Sequence, residues 1–249
     1  MNEGDPNGVR ARFLALVSRL GSEQEQPVRL CEACVQVLPV QRAAISVYVP
    51  GSGLEVLCAS DSVAEQVEWA QITLGEGPGV DADGPAIVDD LSDPTGPWPT
   101  FAAQAVESGV GALYSMPLEV GAIRVGVLNL YRDDAAPLHA EDFADALAVA
   151  ELVTAILLTV GRTGRITESL GPWWDQPLST REVHQATGMM VAQLGVTARE
   201  AYVRMQAFAY AQGRLLNEVA NAVVNRRLRF DPDPDAEPEE LVARDIDQP

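Results

Sequence analysis

The chain of 249 residues contains no lysine: its 17 cations are all arginines, set against 36 acidic residues and two histidines, for a net charge of −19. No hydrophobic run approaches the roughly 20 residues that a membrane-spanning helix needs. Met1 to Val9 lacks the basic stretch and following apolar stretch of a secretion signal, so the expectation is a cytoplasmic protein with no membrane partner. Three cysteines, Cys31, Cys34 and Cys58, cannot form a paired disulfide framework and lack further ligands at zinc spacing. They are expected as buried thiols, and no metal site is expected. No nucleophile–base constellation, phosphate loop or metal cluster emerges, and the Asp and Glu residues are scattered, so an enzyme is not expected.

A strongly acidic chain argues against nucleic acid as a partner. Resolved by segment, the charge reverses that argument. Residues 178–230 carry seven Arg and three Glu, a net +4, whereas residues 1–177 carry −16 and residues 231–249 carry −7. Net positive charge is concentrated in one stretch, and arginine suits bidentate contacts to phosphates and bases.

That stretch reads as three short amphipathic helices. Ser179 with Glu182, and Thr197 with Glu200, have the spacing of N-terminal capping boxes, and Gly195 and Gly213 interrupt the pattern. Val183, Ala186, Met190 and Leu194 share one face of the first helix. Ala201, Tyr202, Met205, Phe208 and Ala209 do so on the second, and Leu215, Leu216, Val219, Ala220 and Val223 on the third. Opposite these faces stand Arg181, His184, Gln185 and Gly188 on the first helix, Tyr210 on the second, and Arg214, Asn217, Asn221 and Asn225 on the third. Arginines, amides and an exposed aromatic supply phosphate pairing, base-edge bonding and stacking, which single-stranded RNA loops require. A solvated outer surface is the alternative reading of the same pattern.

The run Arg181, then His184-Gln185-Ala186-Thr187-Gly188-Met189-Met190-Val191, with Glu200-Ala201-Tyr202 and Glu218-Val219-Ala220 beyond it, resembles the ANTAR family. Many members carry Lys where this chain has Thr187. The resemblance implies an all-α three-helix domain over residues 178–230 that binds RNA hairpin loops and acts in transcription antitermination.

Toward the N-terminus, Val9, Phe13, Leu16, Val17 and Leu20 form a helical stripe, and a second helix runs to about Leu38. Alternation at Ala43, Ile45, Val47 and Val49, a Pro50–Gly53 turn, and alternation from Leu54 to Ala59 predict a hairpin. A short helix capped by Asp61 or Ser62, a strand at Ala86 to Val88 and a helix from Trp98 to Ser108 follow. A second hairpin spans 113–131, and a long helix runs from about Ala140 to Val160. The order predicts an α+β domain whose antiparallel sheet is covered by helices on one face. Gly75-Glu76-Gly77-Pro78, Trp98-Pro99 with Phe101, Met116-Pro117-Leu118 and Gly126 to Tyr131 are similar to GAF domains across about residues 8–160; Gly79 stands where many related domains have Cys. The resemblance implies a small-molecule sensor. Trp69, Val88, Trp98, Phe101, Tyr114 and Leu128 could line its pocket, or simply fill the core. No Cys or His is placed to hold a tetrapyrrole, and the ligand is not specified.

Val149, Val153, Ile156 and Val160 on the long helix make a seam expected to form a homodimer interface, with a single core helix as the alternative. Residues 161–177, including Trp173-Trp174, read as a linker, and residues 231–249 as an acidic, Pro-rich disordered tail. The combined expectation is an RNA-binding regulator whose first domain senses a signal. A DNA-binding transcription factor and a ligand-gated protein-interaction module are the alternatives.

Overall fold

The two alternating stretches near the N-terminus become strands β1 (Arg42–Val49) and β2 (Gly53–Ala59), with helices α1 (Pro6–Arg19) and α2 (Gln26–Val37) before them. After β2 come α3 (Ser62–Leu74), a short α4 (Pro78–Asp81), β3 (Ala86–Val88), α5 (Pro99–Glu107), the hairpin β4 (Ala112–Val120) and β5 (Ile123–Arg132), and α6 (Ala140–Gly161). The five strands form one sheet in the order β2-β1-β5-β4-β3, with every neighbouring pair antiparallel. The computed structural model describes residues 6–19, 26–49, 53–81, 83–121, 123–161, 178–231 and 242–245. The chain divides into two units, Met1–Asp175 and Gln176–Pro249. Among the described residues no helix is long and apolar enough to cross a membrane.

Strand periodicity sends alternate side chains to opposite faces, and here the two faces differ in chemistry. Ala43, Ile45 and Val47 of β1, Tyr114, Met116 and Leu118 of β4, and Leu128 and Leu130 of β5 join one apolar core. Val9 and Phe13 of α1, Leu30 and Cys31 of α2, and Val149, Val153 and Leu157 of α6 complete it. The other face carries Ser46, Asn129 and Tyr131, and α3 covers it. Helices therefore cover both faces rather than one, because α3 brings polar as well as apolar side chains to the second face. All three cysteines are buried free thiols, as expected.

The long helix carries most of the expected seam into the core of the chain itself. Val149 and Val153 are 0 % exposed within the single chain, and Ile156 packs half-buried against the same core. Their burial here is against α1 and the sheet, the packing of the core-helix alternative. The side chain of Val160 and the stretch 162–177, with Trp173 and Trp174, lie outside the described residues.

The C-terminal unit contains α7 (Leu178–Leu194), α8 (Ala198–Ala211) and α9 (Leu216–Val224), followed by β6 (Leu228–Asp231) and β7 (Val242–Asp245). Ala186, Met190, Ala201, Met205, Ala209, Leu216, Val219 and Ala220 are fully buried, as the three apolar stripes require. Phe208 and Phe230 meet edge to face, ring centres 5.2 Å apart. The acidic segment is corrected in part: Leu228 to Asp231 pair antiparallel with Asp245 to Val242. A strand edge offers unpaired backbone groups to any extended segment within reach, and Val242-Ala243 lies within reach by chain length. The unit is therefore not purely helical.

Gly126 of β5 lies opposite Val47 in close apposition to β1. A Cβ there would meet the Ser46 carbonyl oxygen at 2.2 Å and the Val47 Cα at 3.0 Å, both backbone atoms that cannot swing aside. Gly126→Ala should destabilise the N-terminal unit by roughly 1–3 kcal/mol, read as a lower midpoint in denaturant. An unchanged midpoint would show that the two strands can separate at little cost.

Candidate nucleic-acid interface and sensor core

Helix α8 is fixed at its start by a reciprocal box: Glu200 N donates to Thr197 Oγ1 at 3.3 Å and Thr197 N donates to Glu200 Oε2 at 2.8 Å. The Thr197 hydroxyl also donates to Glu200 Oε2 at 2.8 Å, and these two bonds from the Thr197 N–H and hydroxyl lower the Glu200 carboxyl from its ordinary value. Glu218 caps α9 by accepting from Leu215 N at 3.1 Å. The first helix behaves differently, beginning already at Leu178 so that Ser179 falls inside its first turn. Glu182 accepts both contacts of the Asn221 amide, at 2.9 and 3.1 Å, joining α7 to α9.

With the apolar stripes buried against one another, the outward faces are determined. Arg181, His184, Gln185 and Gly188 are all exposed along one side of α7, and Ala192 continues that row by one turn. A Cβ added at Gly188 would meet nothing within 4 Å, so the open backbone there is not demanded by packing. Tyr210 is 60 % exposed near the end of α8.

The stripe on the third helix divides between surface and internal roles. Asn221 is half-buried and spent on Glu182, and its Oδ1 accepts from Arg227. Asn225 Nδ2 donates to the Asn221 carbonyl at 2.9 Å, and Arg214 Nη2 to the Glu218 carbonyl at 3.3 Å. Asn217 is half-buried, with its Oδ1 lacking a hydrogen-bond partner. Amides at i, i+4 spacing look alike in sequence whether they face solvent or a neighbouring helix; here Asn221 and Asn225 bond within the unit.

In the N-terminal unit the six residues proposed to line one pocket are not gathered in one. Tyr114 and Leu128 belong to the core under α1, α2 and α6, where Tyr114 Oη donates to the Ala136 carbonyl at 2.6 Å. Trp69 and Phe101 are buried on α3 and α5, and Val88 is buried on the edge strand. Trp98 is half-buried and donates Nε1–H to Asp81 Oδ2 at 3.0 Å.

The sheet face beneath α3 holds instead a polar cluster that sequence reasoning missed. Glu68 is 0 % exposed. Ser46 Oγ donates to its Oε2 at 2.6 Å and Asn129 Nδ2 to its Oε1 at 2.7 Å, and the Tyr131 hydroxyl also donates to Oε1. Gln71 reaches the same carboxyl at 3.4 Å, and its own Oε1 accepts from Gly79 N at 3.0 Å. A Cβ on Gly77 would strike Gln71 Oε1 at 2.6 Å, which explains why the Gly-Pro segment can close over this cluster. Glu76 in turn accepts from Thr100 N at 3.0 Å at the start of α5. Beside the segment, a residual cavity of about 10 Å³ is bounded by Tyr48, Pro78, Ser115, Arg124 and Val127 among others. The available signal was Glu68 and Gln71 inside the apolar run Val67 to Ile72.

Burial raises the Glu68 carboxyl above its ordinary value, although its three donors pull it back, and burial with the nearby Glu68 pushes Tyr131 well up. A raised folded-state value means the unfolded chain ionises first as pH rises. The contribution to stability is then full below the ordinary glutamate value and is lost as pH climbs toward the raised one, by at most about 1.4 kcal/mol per pH unit. Glu68→Gln should flatten that slope relative to the parent in thermal melts across this window. Identical slopes would show that Glu68 does not titrate there.

Comparison with known proteins agrees with this division. The ANTAR domain model matches residues 177–224, which takes in α7, α8 and α9. The N-terminal unit is similar to the GAF domain of a phosphoenolpyruvate-protein phosphotransferase from Coxiella burnetii, at 13% identity and TM-score 0.50, covering 66% of this chain and 98% of that one. The GAF domain of the Acinetobacter phosphoenolpyruvate-protein phosphotransferase is similar at 10% identity and TM-score 0.50, covering 64% and 96%. At these identities the likeness concerns the fold. No curated protein matches the chain. An N-terminal unit with the GAF fold thus precedes an ANTAR domain at residues 177–224, and the chain has a GAF–ANTAR architecture.

Proposed function

We propose that this chain is an RNA-binding regulator of transcription antitermination, in which the ANTAR domain binds stem-loops of leader transcripts and the GAF-fold unit supplies regulatory input. The observation that carries the reading is the exposed row Arg181, His184, Gln185 and Gly188 on α7, within the one segment of positive net charge. A glycine in a helix interior costs about 0.5–1 kcal/mol relative to alanine. Packing does not require Gly188; close approach of a ligand backbone would account for it. Bound RNA would disfavour a competing terminator hairpin.

A DNA-reading helix is less well supported. Helix α9 has nine residues, and its Asn221 is tied to α7 rather than offered to a groove. Titrating full-length protein with a pool of stem-loop RNAs and with a matched DNA duplex separates these readings. RNA should be preferred, with affinity falling as salt rises because phosphate-bound counterions are released. Arg181→Ala should cost roughly 1–3 kcal/mol of binding if its contact is direct, and Tyr210→Ala about as much if a base stacks there. Gly188→Ala should weaken RNA binding while raising the melting temperature, and Arg12→Ala on α1 should change neither. Preference for the duplex, or equal binding by Gly188→Ala and parent, would overturn the assignment of this face.

A further inference from the structure

Beyond the α7 row, the ANTAR unit contains a groove of about 400 Å³ lined by Met189, Ala192, Gln193, Val223, Arg226, Leu228 and Arg229. It lies between the C-terminal half of α7 and the turn from α9 into β6. We propose that this groove receives a single unstacked nucleotide of an RNA loop, its base against Met189, Val223 and Leu228 and its phosphate against the arginines; the inference rests on the RNA reading above.

Three observations converge on it. First, the composition matches a nucleotide: an apolar floor suits the faces of a base, and guanidinium groups at the rim suit a phosphate. Second, Gln193 Oε1 is buried and has no hydrogen-bond partner among the described residues. An unpartnered acceptor is costly, and rotation of the Gln193 amide toward an exocyclic amine or a 2′-hydroxyl in the groove would satisfy it.

Third, Arg226 adopts a left-handed backbone, with φ 59°. It closes α9 with Arg226 N donating to the Val223 carbonyl at 3.0 Å and Arg227 N to the Ala222 carbonyl at 2.8 Å. The same closure follows α8, where Gly213 takes the left-handed position with φ 61°. Glycine adopts this conformation without strain, whereas arginine does not. Retaining a bulky cation at the strained position, where it lines the groove, points to use of the side chain.

The test uses full-length protein and stem-loop RNAs with randomised loops containing 4-thiouridine. Arg226→Gly relieves the backbone strain and deletes the guanidinium, so it should melt higher than the parent yet bind the pool roughly tenfold more weakly. Arg226→Lys should recover part of the loss. Photocrosslinks on the parent should map to residues 189–193 or 226–229. A higher melting temperature with unchanged affinity and crosslinks elsewhere would overturn the groove while leaving RNA binding intact. If the parent binds no RNA, both readings fall. If Arg226→Gly does not fold, the crosslink map on the parent decides.

Discussion

The arrangement of the ANTAR unit depends on helices too short to stand alone. Segments of 14 and nine residues are marginal as isolated helices in water, and even the 17-residue α7 draws most of its stability from burying its apolar stripe against the other two. Met190, Met205 and Val219 meet that requirement with no exposed surface. Once those faces are committed, the outward positions follow from helical periodicity. Arg181, His184, Gln185 and Gly188 cannot be turned inward without turning Val183 and Ala186 out. The Asn221–Glu182 bonds across α7 and α9 lock the same register. Packing therefore sets which polar groups of α7 face outward.

The GAF-fold unit makes a different use of a buried face. Its sheet separates an apolar core under α1, α2 and α6 from a polar cluster under α3, and the buried carboxyl of Glu68 organises the second. A buried carboxyl is tolerated only when its oxygens are bonded, and Ser46, Asn129, Tyr131 and Gln71 supply those bonds. Gln71 then holds Gly79, so the Gly-Pro segment is tied to the same cluster. The residual cavity beside it is about 10 Å³. A ligand larger than a water molecule would have to displace Tyr48, Arg124 or the Gly-Pro segment to enter there.

Much of this was legible in the sequence. The period-two stretches mark both hairpins, the Thr197–Glu200 spacing marks its capping box, and the apolar stripes at helical spacing mark the three C-terminal helices and the exposed α7 row. Contacts between side chains distant in sequence were not legible. Glu68 meets Ser46 and Asn129 from separate strands, and nothing local marks those three as partners. Asn217, Asn221 and Asn225 repeat at i, i+4, a spacing that is the same whether the amides face solvent or a neighbouring helix, and only the fold shows Asn221 turned to Glu182 of α7. Val149 and Val153 repeat at a spacing that serves a dimer seam and a core helix equally well, and only burial distinguishes them. β7 was missed because Arg244 and Asp245 broke a short apolar run inside an acidic, Pro-rich segment.

Because every cation of the chain is an arginine, arginine-directed footprinting reads the whole electrostatic surface with one reagent. Full-length protein would be modified with phenylglyoxal with and without stem-loop RNA, and each arginine quantified by mass spectrometry. The account predicts protection by RNA at Arg181 and Arg226, with Arg12 and Arg29 modified equally in both samples. Protection spread evenly over both units, or confined to the GAF-fold unit, would contradict it.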